Sequence, residues 1–333
     1  MSISIKRREY LAGMGLCALS SWGTPLWAQQ GGKPWRLGHQ LAVDHPVARG
    51  TTKAAEVLMQ KSGGRLRIDV FPAGQMGTGR EITQQVSDDT LEFTVEGPSQ
   101  LGNWHRPITI FEAPFLARDW GHLIRIMDSP WARAQFDILS SKFNMQQVGR
   151  PWYYGSRHFT TKLKGLRTPA DAKGMKLRVP EVAMYLDMIR SIGATPTPMA
   201  LAEVYMSLQT GVVDGQENPL TVINSTKFYE VQKFVSLTAH IVNPVIPMMS
   251  AKKWAALGPE DRKLVSEAFD AGAEVNDELT RSLEARLVDD FKARGVTVIE
   301  ADRPAFRAAM QPVYERQEAA WGKGVFEQLR AVQ

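Results

Sequence analysis

The sequence predicts an α/β protein of two domains. Residues 35–95 read strand, helix, strand, helix, strand, and a second alternating unit begins at Met175. A helical pattern then runs over 259–294 with no internal proline. At 1.5 Å per residue it would be roughly 50 Å long, more than the width of one small domain and enough to brace two lobes. The chain of 333 residues is long enough to build two substantial cores.

Each element has a local reason. After a first strand over 35–41, Asp44-His45-Pro46 opens a helix, with Asp44 as N-cap and Pro46 in the first turn. The helix runs to Lys61 and stops at Gly63-Gly64. Residues 65–71 alternate, with Leu66, Ile68 and Val70 on one face, until Pro72-Ala73-Gly74 breaks the strand. A helix over 80–87 and a strand over 91–95 complete a unit expected to form a mostly parallel sheet flanked by helices.

Helices fill 120–142, and 146–154 reads as a strand. In the second unit a strand over 175–179 precedes a helix over 182–191, an extended stretch over 195–198 and a helix over 202–209. Another helix lies near 219–226, and strands over 234–238 and 245–249 return the chain to the first domain. In the long helix Val275, Leu279, Leu283, Leu287 and Phe291 recur every four residues. That spacing fits a packed helix better than a coiled-coil seam.

Composition is that of an ordinary globular protein, 44% hydrophobic and 23% charged. A net charge of +5, scattered along the chain, argues against nucleic acid as a partner. Residues 1–28 differ from the rest: Lys6, Arg7 and Arg8, a short apolar run over 11–19, then Pro25-Leu26-Trp27-Ala28. This is an export signal pattern with cleavage near Ala28, and the run is too short to span a bilayer; the alternative is a buried N-terminal helix. The arginine pair resembles a twin-arginine signal. Removing the segment leaves 37 basic and 34 acidic residues and removes Cys17, the sole cysteine. The mature chain then has no disulfide, thiol nucleophile or thiolate metal site.

Catalytic motifs are scarce. The six histidines never pair at metal-ligand spacing, and neither a nucleophile elbow nor a phosphate-binding loop occurs. The run Gly74-Gln-Met-Gly77-Thr-Gly79 lacks the required spacing and lysine and reads as a loop. Acidic pairs such as Glu181 with Asp187 read as solvated faces or caps.

Three polar residues stand at strand-like stretches: Arg157 in G-S-R-H-F-T-T, Arg178 in G-M-K-L-R-V-P-E, and Asn218 in D-G-Q-E-N-P. In open α/β sheets such strand ends line the ligand crevice. An arginine grips a carboxylate through two parallel N–H···O bonds, a second adds charge, and an asparagine amide both donates and accepts. Spacing alone also allows separate structural salt bridges.

The block G-M-K-L-R-V-P-E, then G-A-T-P-T-P-M-A-L-A-E-V-Y-M-S-L-Q-T-G-V-V-D-G-Q-E-N-P and K-F-Y-E-V-Q-K-F, resembles the solute-binding proteins of tripartite ATP-independent periplasmic (TRAP) transporters, DctP type. So does A-A-E-V-L-M-Q-K-S-G-G-R-L-R-I-D-V-F-P-A-G-Q-M-G, and the resemblance spans 33–325. That family binds sialic acid, C4-dicarboxylates and sugar acids.

The resemblance implies a two-lobed periplasmic-binding-protein fold, class II type, with crossing strands and a long C-terminal helix on both lobes. Lobe I would hold 29–154 plus 244–283, and lobe II 155–243 plus 284–333. Arg178 would form the main salt bridge to a ligand carboxylate, with Arg157 and Asn218 at the same end. Gln40, His45 and Glu96, with Ser99 nearby, would contact the ligand from lobe I. Leu201 and Trp152, with Tyr153 and Tyr154, would shape the distal pocket, or pack in the core in at least two of the four cases.

The expected protein is a periplasmic monomer that performs no chemistry and uses no cofactor. It would capture a small organic acid and deliver it to the small and large TRAP permease subunits. The polar lobe I residues lean towards a sugar acid such as a uronate; aromatic or branched 2-oxo acids and C4-dicarboxylates are alternatives. A secreted enzyme using Glu81 or Glu96 as base is the rival from another class, and a sensor-associated binding subunit is a third reading.

Overall fold

Thirty-five residues form one helix, Pro259–Ala293, which packs against the helix Pro46–Lys61 and the strand Trp152–Thr161. This computed structural model describes residues 33–333, so the export segment and Cys17 lie outside the described residues. The first unit is β1 (Trp35–Gly38), α1 (Pro46–Lys61), β2 (Ile68–Phe71), α2 (Gly79–Ser87) and β3 (Phe93–Glu96), with β1 parallel to both other strands. The N-cap of α1 is His45, not Asp44: Nδ1 of His45 accepts the Val47 N–H at 3.1 Å, which places Pro46 at the first helical position. A short α3 (Pro98–Leu101), a 3-10 turn (Arg106–Glu112), α4 (Trp120–Met127), α5 (Pro130–Phe143) and β4 (Met145–Gln147) follow.

β5 (Trp152–Thr161) leads into the second unit of β6 (Lys176–Val179), α6 (Ala183–Ser191), β7 (Thr195–Pro198), α7 (Leu201–Thr210), β8 (Gly215–Pro219) and α8 (Leu220–Ser225). β6 lies parallel to β7 and β8, again as alternation predicts. The strands expected at 234–238 and 245–249 are one 17-residue strand, β9 (Phe234–Ser250). Pairing with β5 persists through register shifts, which keeps the irregular stretch around Ala239, at φ 41°, inside the ladder. α9 (Ala251–Ala255), α10 (Pro259–Ala293), β10 (Thr297–Glu300), α11 (Arg303–Ala309), α12 (Gln311–Trp321) and α13 (Val325–Arg330) complete the chain.

The sheet order is β2-β1-β3-β9-β5-β8-β6-β7, a mixed α/β architecture in which β9 belongs to both ends. Its C-terminal part pairs antiparallel with β3 and β4; its N-terminal part pairs with β5 and β10. β5 and β9 therefore cross between two half-sheets; one buried apolar cluster packs around β1, β3 and α1, another around α7 and the end of α10, and a third, from Ile82 to Leu177 and Tyr185, runs across both halves. Trp321 of α12 donates its indole N–H to Thr109 at 2.9 Å, so the C-terminal helices also reach the 106–112 turn.

The leucine spacing of α10 holds in its C-terminal part, where Leu287 and Phe291 are buried, and fails in its middle. Leu279 is exposed, whereas Asn276, Asp277 and Thr280 are buried. The reason is that this face meets the backbone of the chain entering β5. Asp277 accepts the Tyr153 N–H and Glu284 the Ser156 N–H, each at 2.8 Å, and the Asn276 amide donates to the Tyr153 carbonyl at 2.8 Å. Buried backbone groups left unpaired would be costly, so polar side chains belong there. Gly155, at φ 116°, bends β5 beside Glu284, where a Cβ would sit 2.9 Å from Oε1.

Candidate functional site

A cavity of about 310 Å³ opens where the half-sheets meet, within the size range of small-molecule sites. Residues from both half-sheets and both crossing strands line it: Gln40, Glu96 and Glu112 on one side, Arg178 and Asn218 on the other, Tyr154 and Arg157 between. Strand geometry places the polar ones. β6 alternates, so Leu177 and Val179 enter the core while Arg178 turns to the cavity, though it is still buried.

Arg178 is a buried cation without a carboxylate partner among the described residues. Its Nε and Nη2 both donate to the Met199 carbonyl, at 3.1 and 2.7 Å. A guanidinium has five N–H groups, so three remain for a guest. Burial lowers its pKa to about 10, opposed by the field of Glu217; it stays charged at neutral pH.

Arg157 is placed differently. It forms a two-pronged salt bridge with Glu217, Nη2 lying 2.7 Å from Oε1, and also donates to the Glu217 carbonyl at 2.9 Å. Its Nη1 donates to Asn243 Oδ1 at 2.8 Å, which leaves one N–H for the cavity. Burial disfavours its charge, but the field of Glu217 outweighs that and holds it protonated. His240 Nε2 lies 3.1 Å from the same carboxylate. Burial depresses the His240 pKa, so the ring is neutral and donates from Nε2. Arg157 thus reaches the cavity as a cation largely neutralised from within, and the dominant positive field comes from Arg178. Asn218 lines the cavity beside both and donates to Gln216 Oε1 at 2.5 Å.

On the opposite wall Glu112 accepts from the Tyr185 hydroxyl at 2.8 Å and the Asn243 amide at 3.0 Å. Burial raises the pKa of Glu112 despite Arg157. Glu96 is buried as well, and its Oε1 has no hydrogen-bond partner among the described residues. Desolvation, with repulsion from Glu112, pushes its pKa to about 8.

Of the eight residues singled out from sequence, Arg178, Arg157, Asn218, Glu96, Gln40 and Leu201 line the cavity; His45 and Trp152 do not. His45 is fully buried as the cap of α1, its ring 5.4 Å from that of Tyr154. Trp152 fills the crossing of α1 and α10. There a Cβ on Gly50 would lie 2.6 Å from the indole and one on Gly272 2.9 Å from it. Tyr153 donates its hydroxyl to Glu284 at 2.8 Å, on the α10 side of the strand, while Tyr154 faces the cavity. Sequence reasoning missed Glu112, Tyr185, Glu217 and Asn243. Glu217 stood in the Q-E-N-P turn; a charge in a strand buried at every position was the available signal.

A family model described as bacterial extracellular solute-binding protein, family 7 (DctP), matches residues 37–320. The chain belongs to this family. As a DctP-family member it is a TRAP-type solute-binding protein, the class its sequence blocks resemble. The sialic acid-binding periplasmic protein SiaP of Vibrio cholerae is 34% identical over 297 residues, 89% of this chain and 92% of SiaP. The 2,3-diketo-L-gulonate-binding periplasmic protein YiaO of Escherichia coli is 30% identical over 309 residues, 92% of each chain. A TRAP periplasmic solute-binding protein from Roseobacter denitrificans, solved with bound β-D-glucuronate, superposes with a TM-score of 0.86 at 31% identity. That match covers 90% of this chain and all of the other, and it establishes the two-lobed fold.

Proposed function

We propose that this DctP-family protein captures a hydroxylated monocarboxylate, a sugar acid of the uronate kind, in the periplasm. The observation that carries this reading is the cation at Arg178, buried against the cavity with no carboxylate in direct contact among the described residues. A buried charge is costly until it is paired, so the empty site favours an anionic guest. Its fork fits one carboxylate group, with Asn218 and the last N–H of Arg157 beside it. The far wall offers Gln40, Glu96 and Ser99, groups that exchange hydrogen bonds with hydroxyls. Relatives named for sialic acid and diketogulonate, and a relative solved with glucuronate, support this choice of acid.

Lobe I would be 29–154 plus 244–283 and lobe II 155–243 plus 284–333, closing about β5 and β9 on a ligand that touches both walls. The loaded protein would hand the acid unchanged to the small and large TRAP permease subunits. A thermal-shift screen of organic acids tests the reading, because a ligand that binds only the folded state raises its melting temperature. Uronates or aldonates should give the largest shifts; shifts confined to cations, neutral sugars or aromatic 2-oxo acids would overturn it. Prolonged incubation should return the acid unaltered, whereas turnover would favour an enzyme.

A further inference from the structure

Two buried carboxyl groups face the cavity, and their surroundings differ. Both oxygens of Glu112 are occupied by donors, the Tyr185 hydroxyl and the Asn243 amide, an arrangement that suits a carboxylate. Glu96 Oε1 lies buried with no donor among the described residues. The Gly97 N–H and the Gln40 amide favour a carboxylate here, but burial and the second acid outweigh them, and a neutral carboxyl carries an O–H that can serve a guest.

The groups facing Glu96 come from every neighbouring element. The β1–α1 loop supplies the neutral Gln40, and the start of α2 supplies Gly79, where a Cβ would lie 3.0 Å from Oε1. The exposed Arg80 and Glu81 follow on α2. Gly97, the N-cap of α3, supplies its N–H, α3 carries Ser99, and the 106–112 turn supplies Glu112. β5 contributes Tyr154 and Arg157, and Arg178 stands on β6 across the cavity.

Building on the monocarboxylate reading, we propose that Glu96 binds the far end of the ligand as a protonated hydrogen-bond donor, so that capture of the anion and retention of one proton are coupled. An anion entering this cavity repels a carboxylate and favours the neutral acid. Proton and ligand therefore stabilise one another on the protein, and the coupling is reciprocal. The pKa of about 8 in the empty cavity places the onset of the effect just above neutrality.

The sign follows. Below about pH 7 the empty site already holds its proton and affinity is level. Above about pH 8 capture must recruit a proton, and affinity falls, approaching about tenfold per pH unit. The series stops at pH 9 because Arg178, at about 10, begins to lose charge beyond it.

The test is calorimetry with D-glucuronate from pH 6 to 9 on the wild type and Glu96→Gln. Wild-type affinity should follow this course; the glutamine variant, with an amide donor and no proton to lose, should stay level. At pH 8, titrations in buffers of different ionisation enthalpy should show about half a proton taken up per ligand by the wild type, a readout that needs no variant. A level wild-type profile without proton uptake, or an equal slope in Glu96→Gln, would overturn the coupling and leave the monocarboxylate reading intact. Failure of D-glucuronate, D-galacturonate and D-gluconate all to bind at pH 7 would overturn that reading and the coupling with it.

Discussion

Arg178 and Met199 are joined by two hydrogen bonds, one edge of the guanidinium closing on a single carbonyl at 3.1 and 2.7 Å. The clamp fixes the plane of the fork and leaves its other edge towards the cavity. A lysine would bring a similar charge but could not hold the carbonyl and a carboxylate in one plane. Arg178→Lys should weaken sugar-acid binding by about 2 kcal/mol or more, and Arg178→Ala should nearly abolish it, both read by calorimetry. Unchanged affinity in the lysine variant would remove the fork from the account.

The two buried arginines should respond oppositely in stability. Arg157 is paired with Glu217, so Arg157→Ala strands a buried carboxylate and should cost on the order of 3–5 kcal/mol in denaturant unfolding. Among the described residues Arg178 pairs with no carboxylate, so Arg178→Ala should change stability little or raise it. Equal losses in the two variants would contradict the difference in pairing.

Trp152 should matter to the fold and not to the ligand. Trp152→Phe opens space at the α1–α10 crossing, and Gly272→Ala drives a Cβ to 2.6 Å from the Gly50 carbonyl. Each should cost about 1–3 kcal/mol by thermal or urea unfolding, with affinity within about threefold of wild type. A large loss of affinity in a fully folded Trp152→Phe protein would return that ring to the site.

Acid should weaken the fold through buried histidines. Burial lowers the pKa of His39 to about 4 and those of His45 and His158 to about 3, from an ordinary 6.5. The folded state keeps these rings neutral, so their contribution is intact above about pH 6.5. It declines as pH falls towards 4 and below, where the unfolded chain takes up protons first, by at most about 1.4 kcal/mol per unit for each ring. His45→Asn keeps an N-cap acceptor for the Val47 N–H and should flatten part of the decline in melting temperature between pH 6.5 and 4. An identical slope in the variant would show that His45 is not a contributor.

The sequence by itself determined the parts governed by neighbours along the chain. Alternation in G-M-K-L-R-V-P-E set Leu177 and Val179 against Arg178, and the two strand–helix units formed where periodicity placed them, because side-chain direction within an element is a local property. Its long motif blocks also carried the family and three of the residues that line the cavity, Arg178, Leu201 and Asn218. Only the tertiary structure decided what each polar group faces. It paired Arg157 with Glu217, 60 positions away, and left Arg178 unpaired; it put Trp152 between two helices and set Glu96 near Glu112. It also turned the polar face of α10 onto β5, because backbone groups buried at that crossing need partners that no leucine stripe announces. Those outcomes depend on contacts between distant segments, and the charge and hydrogen-bond balance of a buried group exists only once those segments have met.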